Sequence, residues 1–202
     1  MEARSQPVLA EHMEFISIPI SIVSLIISTI TFWIVFLRRG RLKMTKPTVV
    51  FFGFDHAPKT TAKVFIRTLL YCTAARGAAI EGMYVKIKGG GSEAVFSFWG
   101  YGETEKLTVG SGLHISQSGF SANHHFVSSV HNDDFEFKSG EYQIEIFARE
   151  VGRRKPTRLG SVKVDLSDQL SAVLSCHEGV LFEKTMEGNF VGHGRDGAVG
   201  ED

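Results

Sequence analysis

Cysteine is scarce in this chain: 202 residues carry only Cys72 and Cys176. Two thiols make no disulfide framework, so the fold must be held by its own core. Net charge is missing too, with 22 Lys and Arg against 22 Asp and Glu. Beyond Lys46 the balance is 16 against 19, a net of −3. That balance offers nucleic acid no overall attraction, and no nucleic-acid recognition motif is present. Lipidation motifs, heptad runs and longer internal repeats are absent. Gly89 to Gly91 and Gly110-Ser111-Gly112 lack the strand–loop–helix context and the lysine of a phosphate-binding loop, and read as turns.

What the chain does have is one long apolar run, Phe15 to Leu37, 23 residues without a charged side chain. At about 1.5 Å per residue a helix of this length spans roughly 34 Å, enough for a hydrocarbon core of about 30 Å. A cleaved signal peptide fits poorly. The run is too long, Glu2, Glu11 and Glu14 precede it, and Arg38 and Arg39 stand where a small-residue cleavage site belongs. The sequence therefore predicts an uncleaved transmembrane helix over 15–37. Arg38, Arg39, Arg41, Lys43 and Lys46 follow the span and only Arg4 precedes it. Positive side chains stay on the cytoplasmic side, so residues 1–14 are expected outside and the rest of the chain in the cytoplasm, at the plasma (inner) membrane. The same five cations suit anionic lipid. If the domain is cytoplasmic, both thiols are expected reduced.

Inside the span Ser17, Ser21, Ser24, Ser28 and Thr31 step by four and three residues, forming one stripe on a helix. Small hydroxyl residues on one face let a second helix approach closely, either a copy of this one or another membrane protein's. The alternative is that each hydroxyl bonds its own preceding turn.

Residues 38–46 read as a basic juxtamembrane spacer, 47–190 as one β domain and 191–202 as a loose tail. Alternating apolar positions predict strands at Thr48–Phe54, Ala62–Thr73, Met83–Lys88, Ala94–Tyr101, Leu113–Ser116, His124–Ser128, Glu141–Arg149, Leu159–Leu166 and Val180–Glu183. A short capped helix is expected over Asp168–Ser175. Many short strands with turns between them and hardly any helix predict a mainly β chain folded as an antiparallel β-sandwich. Phe135 to Ile146, with its Gly140-Glu141-Tyr142 step, resembles the closing strands of immunoglobulin-like and fibronectin-like domains. The antibody Cys and Trp spacing is absent. The chain as a whole also resembles small bacterial single-pass membrane proteins with one β domain, a likeness that transfers no functional residue.

Four groups invite chemistry. His114, His124, His125 and His131, with Asn123, Asp133 and Asp134 nearby, raise a metal site, which requires three ligands converging on one point. Adjacent His124 and His125 face opposite sides of any strand, so at most one could join His114 and His131. Asp133 and Asp134 otherwise read as a solvated turn rather than an acid/base pair. Cys176-His177-Glu178 places a thiol beside an imidazole, but sequence neighbours at a helix end seldom reach nucleophile–base geometry. Arg149, Arg153, Arg154, Lys155 and Arg158 form a basic loop that is either a solvated hairpin tip or a contact for anionic headgroups or an acidic partner.

No set of residues amounts to a catalytic centre, and no cofactor is implied. The sequence favours a membrane-anchored, non-enzymatic binding or scaffold module, over a metal-dependent hydrolase or sensor and over a structural subunit assembled through the serine stripe. If the stripe pairs, Ser21→Leu, Ser24→Leu and Ser28→Leu together abolish self-association in a membrane two-hybrid reporter; an unchanged signal removes self-pairing.

Overall fold

The computed structural model describes residues 7–38, 40–55, 60–101, 107–110, 112–128 and 135–195, with 7–17, 101, 107–109 and 195 described by backbone alone. Helix α1 (Pro7–Phe32) continues into a π-helical turn, Trp33–Leu37, closed by the Arg38 N–H donating to Trp33 O at 2.9 Å. Within it Ile18–Leu37 is long and apolar enough to cross a membrane, and none of its side chains is buried. Among the described residues no surface of the β domain covers this apolar face.

Twelve strands form one antiparallel sheet among the described residues. They are β1 (Leu42–Met44), β2 (Val49–Asp55), β3 (Thr61–Cys72), β4 (Ala78–Gly89), β5 (Ser92–Tyr101), β6 (Leu107–Val109), β7 (Leu113–Ile115), β8 (Phe120–Ser128), β9 (Gly140–Glu150), β10 (Thr157–Leu166), β11 (Gly179–Lys184) and β12 (Phe190–Arg195). The main order is β10-β9-β4-β5-β8-β3-β2-β11-β12, with β1 on β3, β6 on β5 and β7 on β4. Taking β2, β3, β4, β8, β9 and β10 as strands A, B, C, E, F and G gives the A-B-E and C-F-G neighbours of an immunoglobulin-like sandwich. Strand β5 pairs with both β4 and β8, so the two layers are one sheet folded over a single core. Strands β11 and β12 extend the A-B-E layer beyond β2.

The layers meet through side chains of period two. Phe52, Val64, Ile66, Val85, Ile87, Phe96, Phe126, Ile144, Ile146 and Phe182 are all essentially inaccessible. The polar member of the β3 inner row, Thr68, is satisfied: its Oγ1 donates to Thr45 O at 2.8 Å. Tyr142 enters β9 with its hydroxyl donating to Lys138 O at 2.6 Å and accepting from Lys138 N–H at 2.8 Å. This is the tyrosine-corner arrangement, at the Gly-x-Tyr step the sequence singled out. Helix α2 (Asp168–Ser175) is capped by Ser167 Oγ, which accepts from Leu170 N–H, and it sets Leu174 into the core with Leu170 and Val173 against it.

Several boundaries differ from expectation, three of them for a local reason. The basic segment 38–46 holds β1, where Leu42 and Met44 pair opposite Cys72 and Leu70 and only Lys43 between them points out. A three-residue alternation is lost to the eye among five cations. Residues 190–195 form β12 rather than a loose tail. Its inward positions opposite Phe182 and Val180 are Gly192 and Gly194. Leu170 and Val173 of α2 lie over them, leaving no room for a side chain at Gly192. The strand thus has no apolar pattern to read. Strand β4 starts at Ala78, before Met83, because a bulge between Ile80 and Gly82 breaks its alternation.

Tyr142→Phe leaves the Lys138 N–H and C=O without their partner in a part-buried corner, which costs about 0.5–1.5 kcal/mol. Urea unfolding should show a lower midpoint at unchanged slope, and a shift of under about 0.5 kcal/mol would mean the corner contributes little.

Candidate functional site: the outer face of the A-B-E layer

The structure separates the residues that the sequence offered for chemistry. His114 is exposed on β7. His124 points into the core between Phe98 and Phe120, and His125 points out against Phe65 with ring centroids 5.4 Å apart. The pair thus does face opposite sides of β8. His131, Asp133 and Asp134 lie outside the described residues. Among the described residues no three His, Cys, Asp or Glu side chains come together to hold a metal ion.

Cys176 is exposed, and no hydrogen bond joins it to His177 among the described residues. Instead His177 takes a positive φ of 62° as the residue after the α2 cap. Its N–H donates to Leu174 O and that of Glu178 to Val173 O, a Schellman closure, while its ring packs on Phe54 at 4.9 Å. The histidine ends a helix.

The predicted basic loop divides as well. Strands reach Glu150 and restart at Thr157, so Arg149 and Arg158 belong to strands and only Arg153, Arg154 and Lys155 to the tip. Arg158 bonds Glu145 at 2.8 Å, and Arg153 bonds the buried Glu150 at 3.2 Å. In α1, Ser21, Ser24, Ser28 and Thr31 are exposed, and Thr31 Oγ1 donates back to Ile27 O at 2.8 Å, the intrahelical alternative. The Ser17 side chain and Arg39 lie outside the described residues; Arg38, Arg41, Lys43 and Lys46 are exposed.

What the sequence did not single out is a row of side chains on the outside of the sheet. Register places Leu181, Phe51, Phe65, His125 and Trp99 side by side across β11, β2, β3, β8 and β5. Leu181, Phe51, Phe65 and Trp99 are half-buried, where a solvated face would carry polar groups. Phe51 stacks on Phe65 at 4.7 Å and 11°. Its ring lies flat across Gly53 and Gly179, where an added Cβ would come within 2.6 Å of it. Those glycines let the ring lie down as a platform. The signal was present in the sequence as Phe51, Phe65 and Trp99, each lying within a segment already read as a strand.

Cations edge the row. Arg67, one step along β3, is exposed and donates from Nε to Asn123 Oδ1 at 2.8 Å. Lys63, on the other side, is held below its ordinary pKa by burial, with Asp55 opposing. His125 is pushed down to about 4, first by burial and then by Lys63 and His124. His124 is lowered by burial, against a hydrogen bond to the Thr68 backbone. The outer face of the C-F-G layer is different in kind. Tyr84 and Phe147 stack there at 5.0 Å, but Lys86 lies over Phe147, Arg158 bonds Glu145, and Lys163 bonds Glu141. That face is closed by its own pairs. No family model, curated protein or solved structure matches the chain.

Below the ordinary histidine pKa of 6.5 and down to about 4, unfolded chains bind a proton at residue 125 that the folded domain refuses. Stability therefore falls as pH drops through this window, by at most about 1.4 kcal/mol per pH unit from this group. Urea unfolding from pH 7 to pH 4 should show a shallower loss in His125→Phe than in the parent, and equal slopes would remove the assignment.

Proposed function

We propose that this chain is a membrane-anchored, non-enzymatic binding module, whose β domain holds a protein partner on the outer face of its A-B-E layer. The observation that carries the reading is the Leu181–Phe51–Phe65–His125–Trp99 row: five neighbouring strands turn apolar or aromatic side chains away from the core. Apolar rows left half-buried on the outside of a sheet suit an interaction surface better than a fully solvated face does. The apolar helix supports the anchor, and the cations after it support a cytoplasmic domain.

Position along the strands favours protein over lipid as the occupant. The chain enters the domain beside Cys72, and Phe65 lies seven residues down the same strand. At about 3.3 Å per residue the row is roughly 23 Å away, while headgroups extend only about 5–8 Å beyond the hydrocarbon. With β3 pointing away from the bilayer, that distance favours a protein over lipid. Arg67 and Lys63 on its two sides fit an apolar surface edged by carboxylates.

A photo-crosslinking residue at 65 or at 99, in the full chain in native membranes, should give an adduct with one protein of the same mass, absent with the probe at Gln143 on the opposite layer. Arg67→Glu should weaken both adducts several-fold. Loss of adducts at 65 and 99, or the same adducts from 143, would overturn the reading.

A further inference from the structure

Where the chain enters the β domain, four separated segments meet. Arg41 is fastened to Thr73 by two hydrogen bonds: its N–H donates to Thr73 Oγ1 at 2.9 Å and its carbonyl accepts from Thr73 N–H at 3.1 Å. The β9–β10 hairpin tip is held at the same end by the Val151 N–H donating to Ala79 O at 2.9 Å. A recess of about 370 Å³ lies between these pieces, lined by Gly40, Arg76, His114, Glu150, Gly152 and Arg153. The basic tip and the segment that leaves the apolar helix are therefore neighbours, although more than a hundred residues separate them in sequence.

Chain length confines this end to the bilayer. Three residues carry the backbone from Leu37, the last of the apolar run, to Gly40, and a residue spans at most about 3.6 Å, so the Gly40 edge of the recess stands within roughly 11 Å of the helix end however the domain is turned. The exposed cations there are Arg38, Arg41, Arg76, Arg153, Arg154 and Lys155. Of the nearby carboxylates among the described residues, Glu150 is buried and engaged by Thr157 Oγ1 and Arg153, which leaves Glu81 as the exposed one. The tip also turns an apolar side chain outward, Val151, 60% exposed. Cations around one exposed apolar residue suit a surface that is anionic at the headgroups and apolar just beneath.

We infer that this end of the domain is a second membrane contact: the 151–156 tip and Arg76 seat on anionic headgroups beside the helix and hold the domain at a fixed attitude to the bilayer. The inference rests on the helix being an anchor, and the experiment separates the two. The full chain is reconstituted in nanodiscs of zwitterionic lipid alone and of zwitterionic with anionic lipid, and hydrogen exchange of segments 73–79 and 150–157 is followed. Exchange in both segments should slow several-fold in the anionic discs, and the protection should disappear in molar salt, where the screening length falls to about 3 Å. It should also be erased in Arg153→Glu/Arg154→Glu/Lys155→Glu. A second variant, Arg76→Glu/Arg154→Glu, spares the Arg153–Glu150 pair and should behave the same, with each variant's melting in detergent matching the parent. Equal exchange in the two kinds of disc, or protection that survives both variants, overturns the contact while leaving the anchor standing. A chain that enters neither disc overturns the anchor and the contact together.

Discussion

Phe52 is the point on which the domain closes. Its ring, wholly buried, meets Phe137 at 4.7 Å, Tyr142 at 5.4 Å and Phe182 at 5.2 Å. Those partners come from the segment before β9, from β9 in the opposite layer, and from the added strand β11. One side chain thus joins the two layers, the corner and the extension of the sheet. Aromatic contacts of this kind are worth about 0.5–1.5 kcal/mol each beyond the area they bury. Tyr142 can hold its corner only because Phe52 fills the space beside it, and β11 can lie on β2 only because Phe182 has this neighbour. Among the described residues both cysteines are free, so no disulfide adds to this fastening.

The same alternation that fills the core decides what was legible in the sequence. Strands with one covered and one wet face, such as β9 with Tyr142, Ile144, Ile146 and Ala148 inward, announce themselves by period two. The helix at Asp168–Ser175 announced itself by its serine cap and one apolar side. Strands that broke the rule were harder to see. In β8 the read segment His124–Ser128 is buried throughout, while the missed start, Phe120–Asn123, is exposed or half-buried, with no buried position to mark it. In β12 glycines replace the inward side chains because a helix lies over them.

The outer row was legible only in fragments. Phe51, Phe65 and Trp99 each sit at the outward step of their own strand, but nothing local says that β2, β3, β8 and β5 will be neighbours in that order. Register across four loops is a tertiary property. The histidines show the reverse case. Their clustering in sequence suggested a shared site, and the fold sends His124 inward, His125 outward and His114 to a different strand pair. Proximity along the chain was the wrong guide for both.

The two proposed surfaces lie on different parts of the domain and answer to different forces. At the tethered end, contact is electrostatic, falls with salt, and costs little because the short link to the helix already keeps the cations near lipid. On the A-B-E face, contact is apolar and needs a partner of matching shape. The first assists the second. A domain fastened at Arg41 and again at its hairpin tip has less rotational freedom left to lose when a partner docks, and lost freedom is among the largest costs of association. Strand β3 links the two mechanically: Cys72 stands at the tethered end and Phe65 in the aromatic row, both on one strand paired along its length with β1, β2 and β8. An attitude set at the bilayer would therefore be carried by a rigid element to the proposed binding face.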